Sequence, residues 1–467
     1  MTKSLLEITP ATKPPLDKSF CPAILGNRNY RNAVAQADNS SPMHMALERT
    51  DGCVARVDLQ IFNPGSEHDA DTIRYVERQI KSLLWARGGS VLYLSGPAQV
   101  CSAIREIYSA NGARAYDTNR MDVIYDNGFD IRIVDACDVP DAKEQSIPIG
   151  GFLDGCRIGF DLGASDYKLS AVIDGEAVFT TEIPWNPSIQ TDPEYYYKHI
   201  GDGLKLAAEH LPRVDSIGGS AAGAYVGNMA KYASLFRNIP SEKFNQRIRP
   251  IFLNLQKEWN VPFEVLNDGE VTALAGAMSL KKSSLLGIAM GSSEASGFIN
   301  SDSLFTGNYN ELAYVPVDFN PDAAIDPVAD DIGCGAQYFS QQAVAKLAPE
   351  AGFDFPDEMP FPERLKAVQA KANAGDPAAL DIFTTIGIYL GYALPHYKEL
   401  YDFKNVLILG RVTSGRGGEV IIEKTQEILD TVFPELAQEI ELHVPDEQSR
   451  RVGQAVAAAS LPQLERI

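Results

Sequence analysis

The stretch Cys156-Arg-Ile-Gly-Phe-Asp-Leu-Gly-Ala-Ser-Asp-Tyr-Lys-Leu-Ser-Ala-Val-Ile-Asp-Gly175 reads as a strand, a tight turn of small residues and a second strand, closed by an Asp-Gly pair. Asp174-Gly175 is a strong hairpin signal, because a two-residue hairpin needs positive φ at its centre. Glu176 to Ile183 supplies a third strand, Asp192 to Leu211 a helix, and Ser216-Ile-Gly-Gly-Ser-Ala-Ala-Gly223 a strand entering a loop of small residues. The frame then recurs in Leu285-Leu-Gly-Ile-Ala-Met-Gly-Ser-Ser-Glu-Ala-Ser-Gly-Phe-Ile-Asn300. Setting Gly159 on Gly287 brings Gly163 onto Gly291. We read an internal duplication: two similar α/β halves with a cleft between them, an arrangement suited to transfer between two substrates.

Five segments carry chemistry. In Asp161-x-Gly163-x-x-x-x-Lys168, the small turn residues Gly163, Ala164 and Ser165 let backbone N–H groups approach a phosphate, and Asp161 can hold Mg²⁺ directly or through its waters. The plainer reading is a β-hairpin with a surface Asp. In Val265-Leu-Asn-Asp-Gly-Glu-Val-Thr-Ala-Leu-Ala-Gly-Ala-Met278, a short strand delivers Asn267 and Asp268 to the start of a helix. There Asp268 can accept a proton from a hydroxyl attacking a phosphoryl group, or simply cap the helix. Gly291 to Gly297, with Ser292 and Ser293, suits a second phosphate cradle, although Glu294 would oppose phosphate if it pointed there. Glu311, within Asn308 to Val317, can accept hydrogen bonds from sugar hydroxyls, or be an ordinary loop carboxylate. Asn405 to Gly415 is a strand ending in a Gly/Ser/Thr loop that can seat an adenosine.

Outward from these segments, the first 50 residues read as irregular, broken by Pro10, Pro14, Pro15, Pro22 and Pro42. Val54 to Ile61 alternates like a strand, Thr72 to Trp85 has helical spacing, and Ser90 to Ser95 reads as a buried strand. A helix follows at Val100 to Ser109, then strands near Met121–Tyr125 and Phe129–Val134, then a polar linker at Asp138–Pro148. The expected division is a small α/β extension over 1–150, one lobe over 151–284 and a second over 285–467.

Composition narrows the functional classes. The chain has 467 residues, 41 Lys plus Arg against 62 Asp plus Glu, and a net charge of −21. With no basic cluster, so acidic a chain repels nucleic acid and anionic membranes. The longest apolar runs, such as Val406 to Leu409, fall far short of the ~20 residues of a membrane span. The start of the chain, rich in Lys and Pro, does not read as a secretory signal, so the expected location is cytoplasmic. The six cysteines, in no CxxC spacing, read as reduced thiols.

Taken in order, the five segments resemble the ROK family of sugar kinases, repressors and uncharacterised proteins, within the actin-like, hexokinase-like ATPase superfamily. The resemblance spans about Arg157 to Pro462. It implies a duplicated, ribonuclease-H-like two-lobe ATPase fold. By it Asp268 is the catalytic base, and Asn267, Glu311, Asn238 (in Asn238-Ile-Pro240) and Gln341 bind the sugar. Asp161 serves Mg²⁺, while Gly163, Ala164, Ser165, Lys168, Gly291, Ser292, Ser293, Gly410 and Arg411 serve ATP. A homodimer is implied as well. Several positions depart from the family pattern. The second phosphate loop, usually Gly-Thr-Gly-x-Gly-Gly-Gly, is Gly-Ser-Ser-Glu-Ala-Ser-Gly here. Tyr314 replaces the family's zinc-binding His, and only Cys334 remains of three cysteines, so no zinc site is expected. Gln341 stands for a Glu, and Arg411 for a Gly.

The resulting expectation is a Mg²⁺- and ATP-dependent kinase acting on a small sugar. The alternative is a sugar- or nucleotide-binding protein that has lost catalysis. A repressor is weakest, because the N-terminal stretch shows no helix-turn-helix with a basic recognition helix.

Overall fold

The computed structural model describes residues 3–147, 149–163, 166–444 and 447–464, with the backbone alone over 447–452. The N-terminal stretch runs α1 (Ala23–Ala35), β1 (Ser40–Glu48), β2 (Val54–Phe62), α2 (Asp69–Arg87), β3 (Val91–Ser95), α3 (Ala98–Ile107), α4 (Ala115–Tyr125) and β4 (Asp130–Ile133). Its sheet has the order β2-β1-β3-β4.

Two expectations are corrected here. The first 50 residues contain α1 and all of β1, because their prolines stand where they do no harm. Pro22 immediately precedes α1, where a missing N–H breaks no helical bond. Pro42 pairs with Gln60 of β2, while β3 joins β1 only from His44 onward. One side of Pro42 therefore faces no strand, the edge-like setting that tolerates proline. Met121–Tyr125 belongs to α4 and is no strand. Its buried residues, Asp117, Thr118, Met121 and Ile124, follow helical spacing, a period that a five-residue window hides.

The next stretch runs β5 (Cys156–Leu162), β6 (Asp166–Ile173), β7 (Glu176–Pro184), α5 (Pro193–Ala208), β8 (Ser216–Ala221), β9 (Ala224–Val226) and β10 (Met229–Tyr232). It continues through α6 (Ser241–Lys243), α7 (Ile251–Trp259), β11 (Phe263–Asn267) and α8 (Asp268–Leu280). The sheet order is β11-β8-β5-β6-β7. Strands β5, β6 and β7 are antiparallel, whereas β8 and β11 run parallel to β5. Asp174 and Gly175 turn the β6–β7 hairpin at φ +48° and +87°, as the Asp-Gly pair predicts.

The last stretch begins with β12 (Leu285–Met290), β13 (Glu294–Ile299), β14 (Ile325–Asp326), β15 (Asp331–Ile332), α9 (Gln341–Leu347) and α10 (Phe361–Asn373). It ends with α11 (Pro377–Lys398), β16 (Asn405–Leu409), α12 (Gly415–Val432), α13 (Pro434–Ala437), β17 (Glu441–His443) and α14 (Glu447–Ala459). Its main sheet has the order β13-β12-β16-β17. This repeats β6-β5-β8-β11 strand for strand, with a hairpin partner on one side of the first strand and two later strands on the other. The duplication read from the two glycine turns is thus present in the topology.

Two compact units form. The first comprises Met1–Gln145, Ile288–Ser296 and Asn308–His443, the second Ser146–Gly287, Gly297–Gly307 and Val444–Ile467. The first unit draws on the sequence-read segments 1–150 and 285–467, and the second on all three. In the first unit α11 is long and apolar enough to cross a membrane. Its apolar side chains from Ala379 to Tyr397 are largely buried, as in a core helix. In the second unit α14 lies directly on the sheet. A Cβ at Gly159 or Gly218 would fall inside the backbone of Ala455 or Ala458, so only glycine allows that approach.

Candidate active site

In the second unit the strand ends of β5, β8 and β11 bring three chemistry-bearing residues together. Asp161 faces Lys168 across the β5–β6 ladder and Ser220 across the β5–β8 ladder. Ser220 donates its hydroxyl proton to Asp161 Oδ1 at 2.7 Å, and Lys168 Nζ lies 3.5 Å from Asp161 Oδ2. Asp161 is buried, and burial raises its pKa against the opposing pull of Lys168 and Ser220. Asp268 sits at the start of α8, but Asn267 provides the helix cap. Asn267 Oδ1 accepts from Gly269 N at 2.8 Å, and Nδ2 donates to Gly223 O at 2.8 Å. Asp268 is therefore not needed as the N-cap. Burial, and then the charge of Asp161, push its carboxyl up to about 6. A carboxylate with a pKa near neutrality is suited to accept a proton. Two neighbouring, partly desolvated carboxylates also suit Mg²⁺ shared with phosphate oxygens.

Three residues in this cluster carry no local sequence signal. Gln454 of α14 donates to Ser220 Oγ at 3.0 Å and to Asp268 O at 3.2 Å, tying two strand ends to the last helix. Trp185 Nε1 donates to Gly163 O at 2.8 Å and holds the entry to the first glycine turn. Ser220 is the third. Of the turn itself, Gly163 is described, while Ala164 and Ser165 lie outside the described residues. Asn238 is exposed, and its Nδ2 donates to Ser188 O at 2.6 Å. It shares no hydrogen bond with Asn267 or Asp268.

In the first unit, Gly291, Ser292 and Ser293 form the turn between β12 and β13, with both serines exposed. Gly291 N donates to Ser293 O at 3.0 Å, and Gly291 O accepts from Gln341 N at 2.9 Å. Gln341 is buried, and its Oε1 has no partner among the described residues. Glu294 does not point at phosphate: it is buried against Gly335, and Tyr397 OH donates to its Oε1 at 3.4 Å. Burial pushes its pKa up to about 8, so near pH 7 it is mostly neutral. Gly410 packs against the Met290 backbone, which brings the adenosine-side loop beside the second glycine turn. Arg411 is exposed, and its carbonyl accepts from Gln369 Nε2 at 2.6 Å.

Gly410 has φ +104° and ψ 174°, a region open to glycine almost alone. Gly410→Ala would add ~1–3 kcal/mol of backbone strain and ~1–3 kcal/mol of overpacking against Met290. We expect a clear fall in Tm, measured by calorimetry.

Where the ROK pattern has its zinc, the first unit has a buried ion network. Arg78 pairs bidentately with Asp331 at 2.8 and 3.0 Å. Lys81 and Arg114 each reach Asp331 at 2.8 Å, and Lys81 also pairs with Asp117 at 3.1 Å. Glu77 pairs with Arg78 and Arg114. Cys334 lies beside the network, its thiol pushed up to about 12 by burial, so it remains protonated. Tyr314 packs on Trp85 at 4.2 Å between ring centroids. Among the described residues, no group of three or more His, Cys, Asp or Glu is arranged to hold a metal.

Comparison with known proteins bears on the fold. No protein-family profile matches the chain. Over 306 residues it is 23% identical to a glucokinase of Halalkalibacterium halodurans, covering 62% of this chain and 89% of that protein. It resembles the crystal structure of a ROK family glucokinase from Streptomyces griseus in complex with glucose and AMPPNP, with TM-score 0.51, 20% identity and coverage of 66% and 99% of the two chains. A ROK hexokinase from Thermus thermophilus gives TM-score 0.53, 17% identity and coverage of 66% and 98%. A ROK family transcriptional regulator, homologous to the E. coli MLC protein, gives 0.54, 18% and coverage of 78% and 89%. The chain has the fold of these ROK proteins, the α/β fold expected from its five segments.

Proposed function

We propose that this protein is an ATP-dependent carbohydrate kinase that phosphorylates a hydroxyl of a sugar or sugar derivative. The observation that carries the reading is Asp268. It stands at a strand C-terminus beside Asp161, its capping role is filled by Asn267, and its pKa is raised to about 6. The glucokinase and hexokinase relatives support the same class. In this reading Asp268 takes the proton of the acceptor hydroxyl as its oxygen attacks. Glu311, Asn267, Gln341 and Asn238 bind the sugar. Asp161 is assigned to Mg²⁺, and Gly163, Ala164, Ser165, Lys168, Gly291, Ser292, Ser293, Gly410 and Arg411 to ATP. ATP supplies the phosphoryl group, and Mg²⁺ offsets its charge. A cytoplasmic homodimer that binds neither nucleic acid nor membrane belongs to the same proposal, in keeping with the charge of −21. The non-catalytic alternative is motivated by the altered second phosphate loop, Gly291-Ser-Ser-Glu-Ala-Ser-Gly297; the buried, mostly neutral Glu294 within it does not oppose a phosphate.

Trp185→Phe keeps the ring and removes the donor to Gly163 O. The loss of one hydrogen bond, ~1 kcal/mol, predicts a several-fold rise in the KM for ATP, with the acceptor KM unchanged. The test of the function itself is ADP release with Mg-ATP across hexoses, amino sugars, N-acetylated sugars and polyols. Sugar-dependent release supports the kinase. No release, with no thermal stabilisation by ATP, favours the non-catalytic alternative.

A further inference from the structure

The loop that carries Glu311 is held by the N-terminal stretch. Helix α2 ends at Arg87, and the last carbonyls of a helix lack intrahelical partners. Here Trp85 O accepts from Glu311 N at 2.9 Å, Ala86 O from Asn310 N at 3.0 Å and Arg87 O from Tyr309 N at 3.2 Å. Three successive residues are thereby fixed in register on one helix end.

Side chains reinforce this hold. Trp85 is fully buried and donates its indole N–H to Asp117 at 2.7 Å. Tyr309, Tyr314 and Tyr116 surround it, with ring centroids 5.8, 4.2 and 6.1 Å away. Tyr116 and Arg120 lie one turn apart on α4. Arg120 Nη2 donates to Tyr116 OH at 3.2 Å, and its guanidinium stacks over the Tyr116 ring at 5.1 Å. The charge of Glu311 acts on both Tyr309 and Tyr314, so its carboxylate lies within electrostatic reach of both hydroxyls. Trp85 is completely enclosed, while Tyr116, Arg120, Tyr309, Glu311 and Tyr314 are all partly exposed.

We propose that the N-terminal stretch forms a wall of the acceptor-sugar subsite, in which Tyr116, stacked between Trp85 and Arg120, is a positioning residue that sets the placement of Glu311 and hence affinity for the acceptor. The inference rests on reading Glu311 as a sugar ligand in a carbohydrate kinase. It gives residues 1–145 a role within the first unit: α2 and α4 hold the loop that meets the sugar. Tyr116 acts through Glu311 and has no part in proton transfer.

The test is steady-state kinetics of Tyr116→Ala and Tyr116→Phe in the full chain, using an acceptor that the wild type phosphorylates. Tyr116→Ala is expected to raise the acceptor KM ~10-fold or more. The ATP KM and kcat should stay within about twofold, and Tm within a few degrees. Tyr116→Phe keeps the stacked ring and should recover most of the affinity. An unchanged acceptor KM, or equal rises in both KM values as in general loosening, overturns the inference while leaving the kinase reading intact. A wild type that phosphorylates no sugar defeats the kinase reading and this inference together.

Discussion

Asp268→Asn should lower kcat by ~10²–10⁴-fold, the contribution of a well-placed general base, while the variant melts no lower than the wild type. The two halves of this expectation have one cause. Burial and the nearby Asp161 raise the Asp268 carboxyl from 3.8 to about 6. A group whose pKa is higher folded than unfolded binds protons more readily in the folded state. Its charge therefore costs stability at neutral pH, and that cost disappears below about pH 4. Asn removes the charge and the cost together, so Tm holds or rises at pH 7 while the proton acceptor is lost. The same shift fixes the pH profile: wild-type kcat should fall as pH drops through about 6, where Asp268 becomes protonated. Initial rates between pH 5 and 8 and calorimetry at pH 7 check both parts. An Asp268→Asn variant that retains turnover removes Asp268 from the mechanism.

The largest stability effect is expected at Asp331. Arg78, Lys81 and Arg114 converge on its carboxylate, and Glu77 and Asp117 complete a buried set of three cations and three carboxylates. Replacing a buried ionic network wholesale with apolar residues can be neutral, but removing one partner leaves an uncompensated charge, at ~3–5 kcal/mol. Asp331→Asn should therefore lower Tm by on the order of 10 °C. Burial alone would raise the Asp331 pKa, but its three cations hold it well below the usual carboxylate range. A depressed carboxyl contributes stability above its unfolded pKa and loses it as pH falls toward the folded value. The gap between wild type and variant should thus be constant above about pH 5 and narrow below about pH 4. Denaturant melts at pH 7 and pH 3 measure it.

What could be read in the sequence divides along physical lines. The two glycine turns, the Asp-Gly hairpin and the Asn267–Asp268 strand end are local patterns within a dozen residues, and the structure carries each of them. The repeated sheet order follows from them. Gln454 touches Ser220 from 234 positions away, and Asp331 meets Arg78 across 253; no periodicity reports such contacts. Glu294 illustrates a different limit. Its place in a phosphate-loop pattern leaves open where its charge points, and in the structure it is turned inward against Gly335, where burial neutralises it. The structure departs from the local pattern at Pro42 and Met121–Tyr125 for a related reason: proline is tolerated where one side of a strand has no partner, and a helix face needs a window longer than five residues.

The most direct measurement is detection of the product. The wild-type chain is incubated with Mg-ATP and each sugar of the panel, and mass spectrometry and phosphorus NMR look for a sugar monophosphate. A sugar phosphate formed in step with ADP is expected for at least one acceptor, and none with Asp268→Asn. ADP formed without any sugar phosphate, or no turnover with every acceptor, would contradict it.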